Sequence, residues 1–549
     1  MRWWGWGEDG HAVPLPEAAE ALLRDELGAD PGTRRPPVPL EQVSVPDARL
    51  PDALRERLAA AVGAEHVRDD RDTRIAHAVG RSYPDLVRIR SGDASSAPDA
   101  VVLPASGEQV AAVLAACAED RVAVVPFGGG TSVVGGVEPV RDGFAAALSL
   151  DLSRMSATVE VDHTSLTARL DAGLFGPEAE RRLGEAGVTL GHFPQSFEYS
   201  TVGGWVATRS AGQASTGYGR IDALVEAVRC VTPSGELGTR AVPASAAGPS
   251  LRELVVGSEG VLGVICEATV RVRPAPRARR YEGWSFASFA EGCDAFRVME
   301  QASAAAEVCR LSDEDETRLT MALASSGSTS EKLGKRYLRM RGHEGGCLAI
   351  LGFEGDEEEV EDRRRRTAAL LRAGGGVALG HRPGDAWRRG RYAGPYLRDE
   401  LLGRGVLAET LETATSWTNL GTLHAAVREA LGAALAGRGT PPLVMCHVSH
   451  LYPSGASLYF TFLARQEEDA LAQWRAAKSA ASEAIVAGGG TITHHHAIGR
   501  DHRRWLEAES GALGIELLRA AKERLDPAGI MNPGKLLPQP SSSQPLLGR

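Results

Sequence analysis

A strand-like run that ends in three consecutive glycines constrains this chain most. Val122–Phe127 is apolar, rich in β-formers, and continues as Pro126-Phe127-Gly128-Gly129-Gly130-Thr131-Ser132. Glycine lets the backbone approach a neighbour closely and adopt positive φ. Successive N–H groups in such a loop form a concavity that fits a diphosphate; an ordinary turn is the plainer reading. No Lys-Ser/Thr pair follows, so this is not the nucleotide loop of that type. Nor does the loop open a helix in the G-x-G-x-x-G manner.

The surroundings give the fold class. Ser106-Gly107-Glu108-Gln109 has capping-box spacing, and Val110, Val113, Leu114 and Cys117 then share one helical face. Phe144–Leu150, Val159–Val161, the alternating Leu166 to Ala172 and Val261–Val272 read as strands, and Pro177–Ala186 as a helix. Val225–Val231 meets Pro233-Ser234-Gly235, a hairpin signal. Strands predominate without strict alternation, so an α+β fold is expected. Four zones follow: a helical region over 1–97, a Gly- and Val-rich unit over 98–276, a more charged unit over 277–500, and a last segment over 501–549. That segment carries a helix at Leu513–Leu525 and a Pro- and Ser-rich tail after Pro538 that reads as disordered.

Composition excludes several classes. With 61 Lys and Arg against 71 Asp and Glu, the net charge is −10, which argues against a nucleic-acid binder. The seven cysteines form no C-x-x-C pair, so neither a disulfide framework nor a structural zinc site is expected, and a reducing cytoplasm fits. No run reaches the ~18 apolar residues of a spanning helix, and the opening Met1-Arg2-Trp3-Trp4-Gly5-Trp6 lacks a signal-peptide core. No clear amphipathic anchor is visible. Trp3, Trp4 and Trp6 read either as bilayer-interface residues or as buried packing.

Three further segments suit a large cofactor lying along a cleft. They are Pro194-Gln195-Ser196-Phe197-Glu198-Tyr199-Ser200-Thr201, then Thr208-Arg209-Ser210-Ala211, then Glu259-Gly260-Val261-Leu262-Gly263-Val264-Ile265. With the glycine loop, in this order, they resemble the FAD-binding domain of the vanillyl-alcohol-oxidase and p-cresol-methylhydroxylase type. The resemblance implies two α+β subdomains over 98–276 with FAD between them, its diphosphate on Gly128–Ser132. No motif marks a covalent attachment, so FAD is expected to be non-covalent. The unit over 277–500 would be an α+β cap, a sheet flanked by helices, and 501–549 would return to the FAD unit.

The second half carries three constellations. Thr493-His494-His495-His496-Ala497 follows Gly488-Gly489-Gly490; it reads as an exposed loop, a metal site, or acid–base and phosphate-binding imidazoles. Tyr459 sits in the strand-like Leu458–Leu463, as a packed residue or as an acid/base. Arg310 and Arg398 are surface residues or pair with an anion.

Together with Tyr83-Pro84-Asp85-Leu86, Thr201-Val202-Gly203-Gly204-Trp205 and Glu409-Thr410-Leu411-Glu412-Thr413, these resemble the alkyldihydroxyacetonephosphate synthase family over about residues 70 to 537. The resemblance implies exchange of the acyl group of acyl-dihydroxyacetone phosphate for a fatty alcohol through a flavin N5 adduct. It makes Tyr459 the acid/base, Arg398 the substrate-phosphate contact, and Arg310, His494, His495 and His496 residues needed for activity, with no metal. A tyrosine base needs a cationic neighbourhood, which the histidines are expected to supply. A homodimer with peripheral membrane contact is implied as well. The family's peroxisomal address is missing, and Pro194-Gln195-Ser196 replaces its usual Pro-Asp-Ser. The alternative is a flavin dehydrogenase of D-2-hydroxy acids, whose ending resembles Asn532-Pro533-Gly534-Lys535. On that register Tyr459 replaces a histidine metal ligand and His495 a glutamate ligand, which weakens a metal-bound hydroxy-acid site.

Overall fold

Ser106 caps its helix as the spacing requires. Its hydroxyl accepts the Gln109 N–H at 3.3 Å, and Gln109 Oε1 reaches back to the Ala105 N–H at 2.7 Å. Helix Gly107–Glu119 then buries Val110, Val113, Leu114 and Cys117. A computed structural model describes residues 1–8, 10, 15, 17–30, 32–323 and 329–538; the tail read as disordered falls outside them from residue 539 on.

Strand Ala123–Phe127 pairs in parallel with Ala147–Asp151, which pairs in parallel with Ala100–Val102; Val67–Arg68 completes this sheet. An antiparallel sheet follows in the order Val159–Asp162, Thr167–Asp171, Val264–Arg271, Val225–Thr232, Gly235–Gly238. One hydrophobic core joins the two sheets. The far end of the chain returns to this unit: the Val124 N–H donates to the Ile530 carbonyl and the Asn532 N–H to the Val124 carbonyl, both at 2.8 Å.

The second unit is a seven-stranded antiparallel sheet, ordered Val377–Gly380, Ala278–Phe286, Cys347–Gly355, Val308–Ser312, Leu443–Tyr452, Gly455–Arg465, Val406–Ser416. Helices Phe289–Gln301, Glu357–Ala373, Leu420–Ala436 and Ala470–Ala487 share a second core with one face of it. Strand alternation decides what the other face carries. Leu458, Phe460 and Phe462 belong to the helix-covered core, so Tyr459 points away from it. Glu412 pairs with Tyr459, Tyr459 with His447, and His447 with Ser312. Directly opposed residues share a face, so Glu412, Tyr459 and His447 form one row, with Arg310 two residues along its strand. A bulge sets Ser449 and His450 together against Ser457. Such an extra residue re-aims a side chain; His450 thereby joins the polar face.

The two units are joined through buried polar contacts. Tyr218 and Tyr281 donate hydroxyl protons to the two oxygens of Glu354, at 3.0 and 2.7 Å. Glu307 accepts the Glu354 N–H at 2.8 Å and pairs with Arg363 at 2.8 Å. The N-terminal helices contribute to both cores, Leu54 and Leu58 to the first, Tyr83 and Leu86 to the second. Trp6 is buried, and Trp4 lies between the guanidinium groups of Arg2 and Arg90. Both therefore read as packing. Among the described residues no helix is long and apolar enough to cross a membrane.

Phe460 is fully buried at the centre of the helix-covered face. Phe460→Ala is expected to destabilise the cap by about 3–5 kcal/mol, read as a lowered urea midpoint of the cap transition; an unchanged midpoint would contradict this packing.

Candidate active site

A cavity of about 690 Å³ opens between the two units. One wall is Thr208, Arg209, Gly257 and Glu259 from the first unit; the other is Tyr452, Thr493, His494 and His495. The three histidines sit in irregular backbone, as three adjacent imidazoles require. Glu412 reaches this loop from the cap sheet. Its Oε1 accepts the N–H groups of His495 at 3.1 Å and His496 at 2.8 Å and the Thr493 hydroxyl at 2.6 Å, and its Oε2 accepts the His494 N–H. On the other side Glu259 accepts the N–H groups of Ile498 at 2.8 Å and Gly499 at 2.6 Å.

The loop surrounds Tyr459. The ring of Tyr459 lies 5.9 Å from His495, 5.5 Å from His496 and 4.9 Å from His447, centre to centre. His450 lies 5.0 Å from His494, and the Tyr452 hydroxyl bonds His494 Nε2 at 2.6 Å. Ring nitrogens of His450, His494 and His495 come within 4.8 Å of one another. Arg310 donates to His447 Nε2 at 2.9 Å, and His447 Nδ1 bonds Glu316 at 3.0 Å. With its Nε2 accepting, His447 is a neutral ring with the proton on Nδ1. Arg310 also pairs directly with Glu316, which closes a triad behind the His447 ring that stacks on Tyr459. Glu412 enters the sequence reading only within the Glu409–Thr413 motif, and His447, His450 and Tyr452 carry no role there; the cross-strand row and the bulge that assemble them are register effects.

The electrostatics reverse one expectation. Burial pushes the Tyr459 hydroxyl up to about 12, with Glu412 and Glu409 adding to it against the Thr410 bond and Arg310. Burial also depresses His447, His450, His494 and His495 and takes His496 down to about 3. The histidines are therefore uncharged, and the cationic neighbourhood expected for Tyr459 is not what they provide. Burial opposes charge on Glu412 too, but its carboxyl lies well below the usual range, with the Thr493 hydroxyl and the backbone N–H groups of His494–His496 donating to it. Glu316 behaves likewise: Arg310 and His447 overcome its burial and hold it at about 2.

The four cofactor segments meet one another, and Thr208, Arg209 and Glu259 of the last two line the first wall. A Cβ on Gly129 would stand 1.5 Å from the Tyr199 carbonyl oxygen, and one on Gly128 2.4 Å from Thr201 Oγ1. The glycines thus let the loop press against the second segment. Among the described residues, no protein acceptor takes the N–H groups of Gly129, Gly130, Thr131 or Ser132. Four free, adjacent donors fit a diphosphate, so the residues present suit FAD. Thr201 caps helix Val202–Thr208, and Ser210 Oγ bonds His192 Nε2 at 2.8 Å. Other segment residues have structural partners. Arg209 spends its guanidinium on the Val256 carbonyl, Glu253 and Asp222. Gln195 donates to the Arg391 carbonyl, and Phe197 stacks on Tyr392. Leu262, Val264 and Ile265 are buried in the protein. Arg398 stands apart from the histidines, donating to the Arg81 carbonyl at 2.7 Å beside the glycine loop.

Comparison with known proteins agrees with this layout. The FAD binding domain family matches residues 98–239, and the FAD linked oxidases C-terminal domain family matches 275–536. The alkyldihydroxyacetonephosphate synthase of Dictyostelium discoideum is 34% identical over 98% of this chain and 93% of its own. A solved alkyldihydroxyacetonephosphate synthase superposes with a TM-score of 0.84 at 32% identity, covering 97% of this chain and 98% of that one. A solved p-cresol methylhydroxylase shares the fold, with a TM-score of 0.62 at 16% identity over 88% of this chain and 96% of that one.

Seven buried histidines have folded pKa values below the ordinary ~6.5: those above together with His192 and His502, each at about 3. Below pH ~6.5 the unfolded chain binds these protons and the folded chain does not, so stability falls with pH at up to ~1.4 kcal/mol per unit per group. Burial raises Glu259 to about 7 and Asp501 to about 6 and pushes Asp85, Glu180, Glu300 and Glu307 up as well, which works in the opposite sense and offsets part of the effect of the seven histidines. The Tm of the FAD-loaded protein is expected to drop between pH 7 and pH 5; a rise would refute the neutral cluster.

Proposed function

Because this chain belongs to the alkyldihydroxyacetonephosphate synthase family, we propose that it replaces the acyl group of acyl-dihydroxyacetone phosphate by a fatty alcohol, using FAD. The observation that carries the reading at the site is Tyr459 flanked by the uncharged imidazoles of His495 and His496, with His494 and His495 lining the cavity between the two units. In the net reaction the ester C–O bond on the substrate carbon breaks and a carboxylate leaves. An ether C–O bond forms to the alcohol oxygen, whose proton is released. No net oxidation occurs. When bound, FAD would be held by Gly128–Ser132 and the three other segments and would supply an electrophilic ring system.

The protein's part is proton handling and anion binding. Tyr459 keeps its own proton at neutral pH, so it can take the substrate's only after giving up the phenolic one, with the unprotonated imidazoles of His495 and His496 flanking its ring. Arg310, through His447, holds the opposite face of the Tyr459 ring. Arg398 keeps unpartnered guanidinium N–H groups for the substrate phosphate. We assign 98–276 to the cofactor and 277–500 to the substrate. A homodimer is carried over from the resemblance.

Membrane contact has a physical basis in helix Thr329–Met340. Leu333, Tyr337 and Met340 are 61%, 43% and 69% exposed on it, one turn apart in succession. Lys335, Arg336, Arg339 and Arg341 lie among them, in a chain of net charge −10. A basic helix with an uncovered apolar stripe lies on an anionic bilayer. This is the amphipathic element not picked out from the sequence.

The test is FAD-loaded protein incubated with acyl-dihydroxyacetone phosphate and labelled fatty alcohol. Fatty acid release matched by ether product, without any electron acceptor, is the expected result. Flavin bleaching by a D-2-hydroxy acid, with no ether product, would favour the dehydrogenase instead. Tyr459→Phe is expected to cut turnover by roughly 10²–10⁴-fold while the flavin spectrum is retained.

A further inference from the structure

Two arginines beside the glycine loop, Arg81 buried and Arg398 half-buried, are left short of acceptors. Arg81 is 3% exposed; it donates from Nη1 to the Gly80 carbonyl at 2.7 Å and from Nη2 to the Arg2 carbonyl at 2.9 Å. Arg398 donates from Nη1 to the Arg81 carbonyl. Arg81 Nε and Arg398 Nε and Nη2 are buried and have no partner. A buried donor without an acceptor is costly and asks for a ligand.

The carboxylate beside them is turned by one oxygen to the N-terminal segment, while its Oδ1 is buried without a hydrogen-bond donor. Asp399 Oδ2 accepts the Trp6 N–H, and Oδ1 stays 3.9 Å from Arg398 Nη2, beyond hydrogen-bond reach. The N-terminal segment that captures Asp399 is itself closed, with the Arg2 N–H donating to the Gly7 carbonyl at 2.7 Å and Trp4 clasped between Arg2 and Arg90. The Trp6 ring stands edge-on to Tyr199 at 5.4 Å, and its buried Nε1–H is also unpartnered. The Arg81 N–H donates to the Ser132 carbonyl at 2.6 Å, so this cluster abuts both cofactor loops.

We infer that Arg81 and the segment Arg2–Gly7 complete, with Arg398, a buried receptor for the phosphate of the substrate. This rests on the proposed role of Arg398 and extends it to a second guanidinium and to the first residues of the chain. A guanidinium pair matches the geometry and charge of a phosphate monoester. The cofactor's diphosphate has its own donors in Gly129–Ser132, so these are surplus to it. By holding the Asp399 carboxylate, the N-terminal segment keeps Arg398 available for the ligand.

The test is binding of inorganic phosphate to the FAD-loaded protein by calorimetry, which needs no turnover, alongside flavin content and the KM for acyl-dihydroxyacetone phosphate. Arg81→Gln is expected to weaken phosphate binding and raise KM by about 10- to 100-fold with flavin retained. Arg81→Lys, the fallback if the glutamine variant does not fold, should show a smaller loss. Gly5→Ala places a methyl group 2.4 Å from Asp399 Oδ2, which should dislodge the segment and weaken phosphate binding as well. Phosphate binding unchanged in Arg81→Gln would overturn the receptor. So would flavin loss with phosphate binding intact, which would assign the arginines to the cofactor. If the wild type forms no ether product yet its phosphate binding depends on Arg81, the receptor stands and the synthase reading falls.

Discussion

Two buried carboxylates hold the histidine loop from opposite sides, and the site depends on them. Glu412 comes from the cap sheet and takes the backbone of His494–His496; Glu259 comes from the cofactor unit and takes Ile498 and Gly499. Irregular backbone without such acceptors would leave buried N–H groups unpaired, at a cost of about 1–3 kcal/mol each. The loop therefore keeps its shape only when both units are in place. Both carboxylates bond backbone, while the His494 ring is held by the Tyr452 hydroxyl and by His495. Asn532 extends the arrangement, donating to the Glu259 carbonyl at 2.7 Å and the Gly136 carbonyl at 3.1 Å.

The same burial that fixes the loop sets its charge. Imidazoles shut away from water lose their protons, and Tyr459 keeps its own. Position and protonation are thus two results of one packing decision. The sheet supplies the rest: a strand residue that alternates with Leu458, Phe460 and Phe462 faces away from the helix-covered core, and its cross-strand partners face with it.

Local signals carried much of this. The glycine loop was legible because close approach needs glycine, and the Gly129 position next to the Tyr199 carbonyl shows why. The cap of helix Gly107–Glu119, the hairpin at Pro233–Gly235 and the strand around Tyr459 follow from spacing alone. His447 and His450 were not legible, because the first is placed by register and the second by a bulge; neither leaves a mark in a single strand's pattern. Arg81 and Trp6 lie over 300 residues from their partners Arg398 and Asp399, and no local rule reaches that far. The direction of the Tyr459 shift was misjudged for a related reason. Counting nearby histidines says nothing of how deeply they are buried.

Strand Ala123–Phe127 supports the glycine loop, yet one of its edges is covered by Ile530–Asn532, about 400 residues later in the chain. During synthesis that edge stays open while the whole cap is made. An open edge invites pairing with other chains, and contacts between such distant segments form slowly. The cofactor cleft is therefore among the last parts of the molecule to mature, and the interval before it closes is when a nascent chain is most exposed to aggregation.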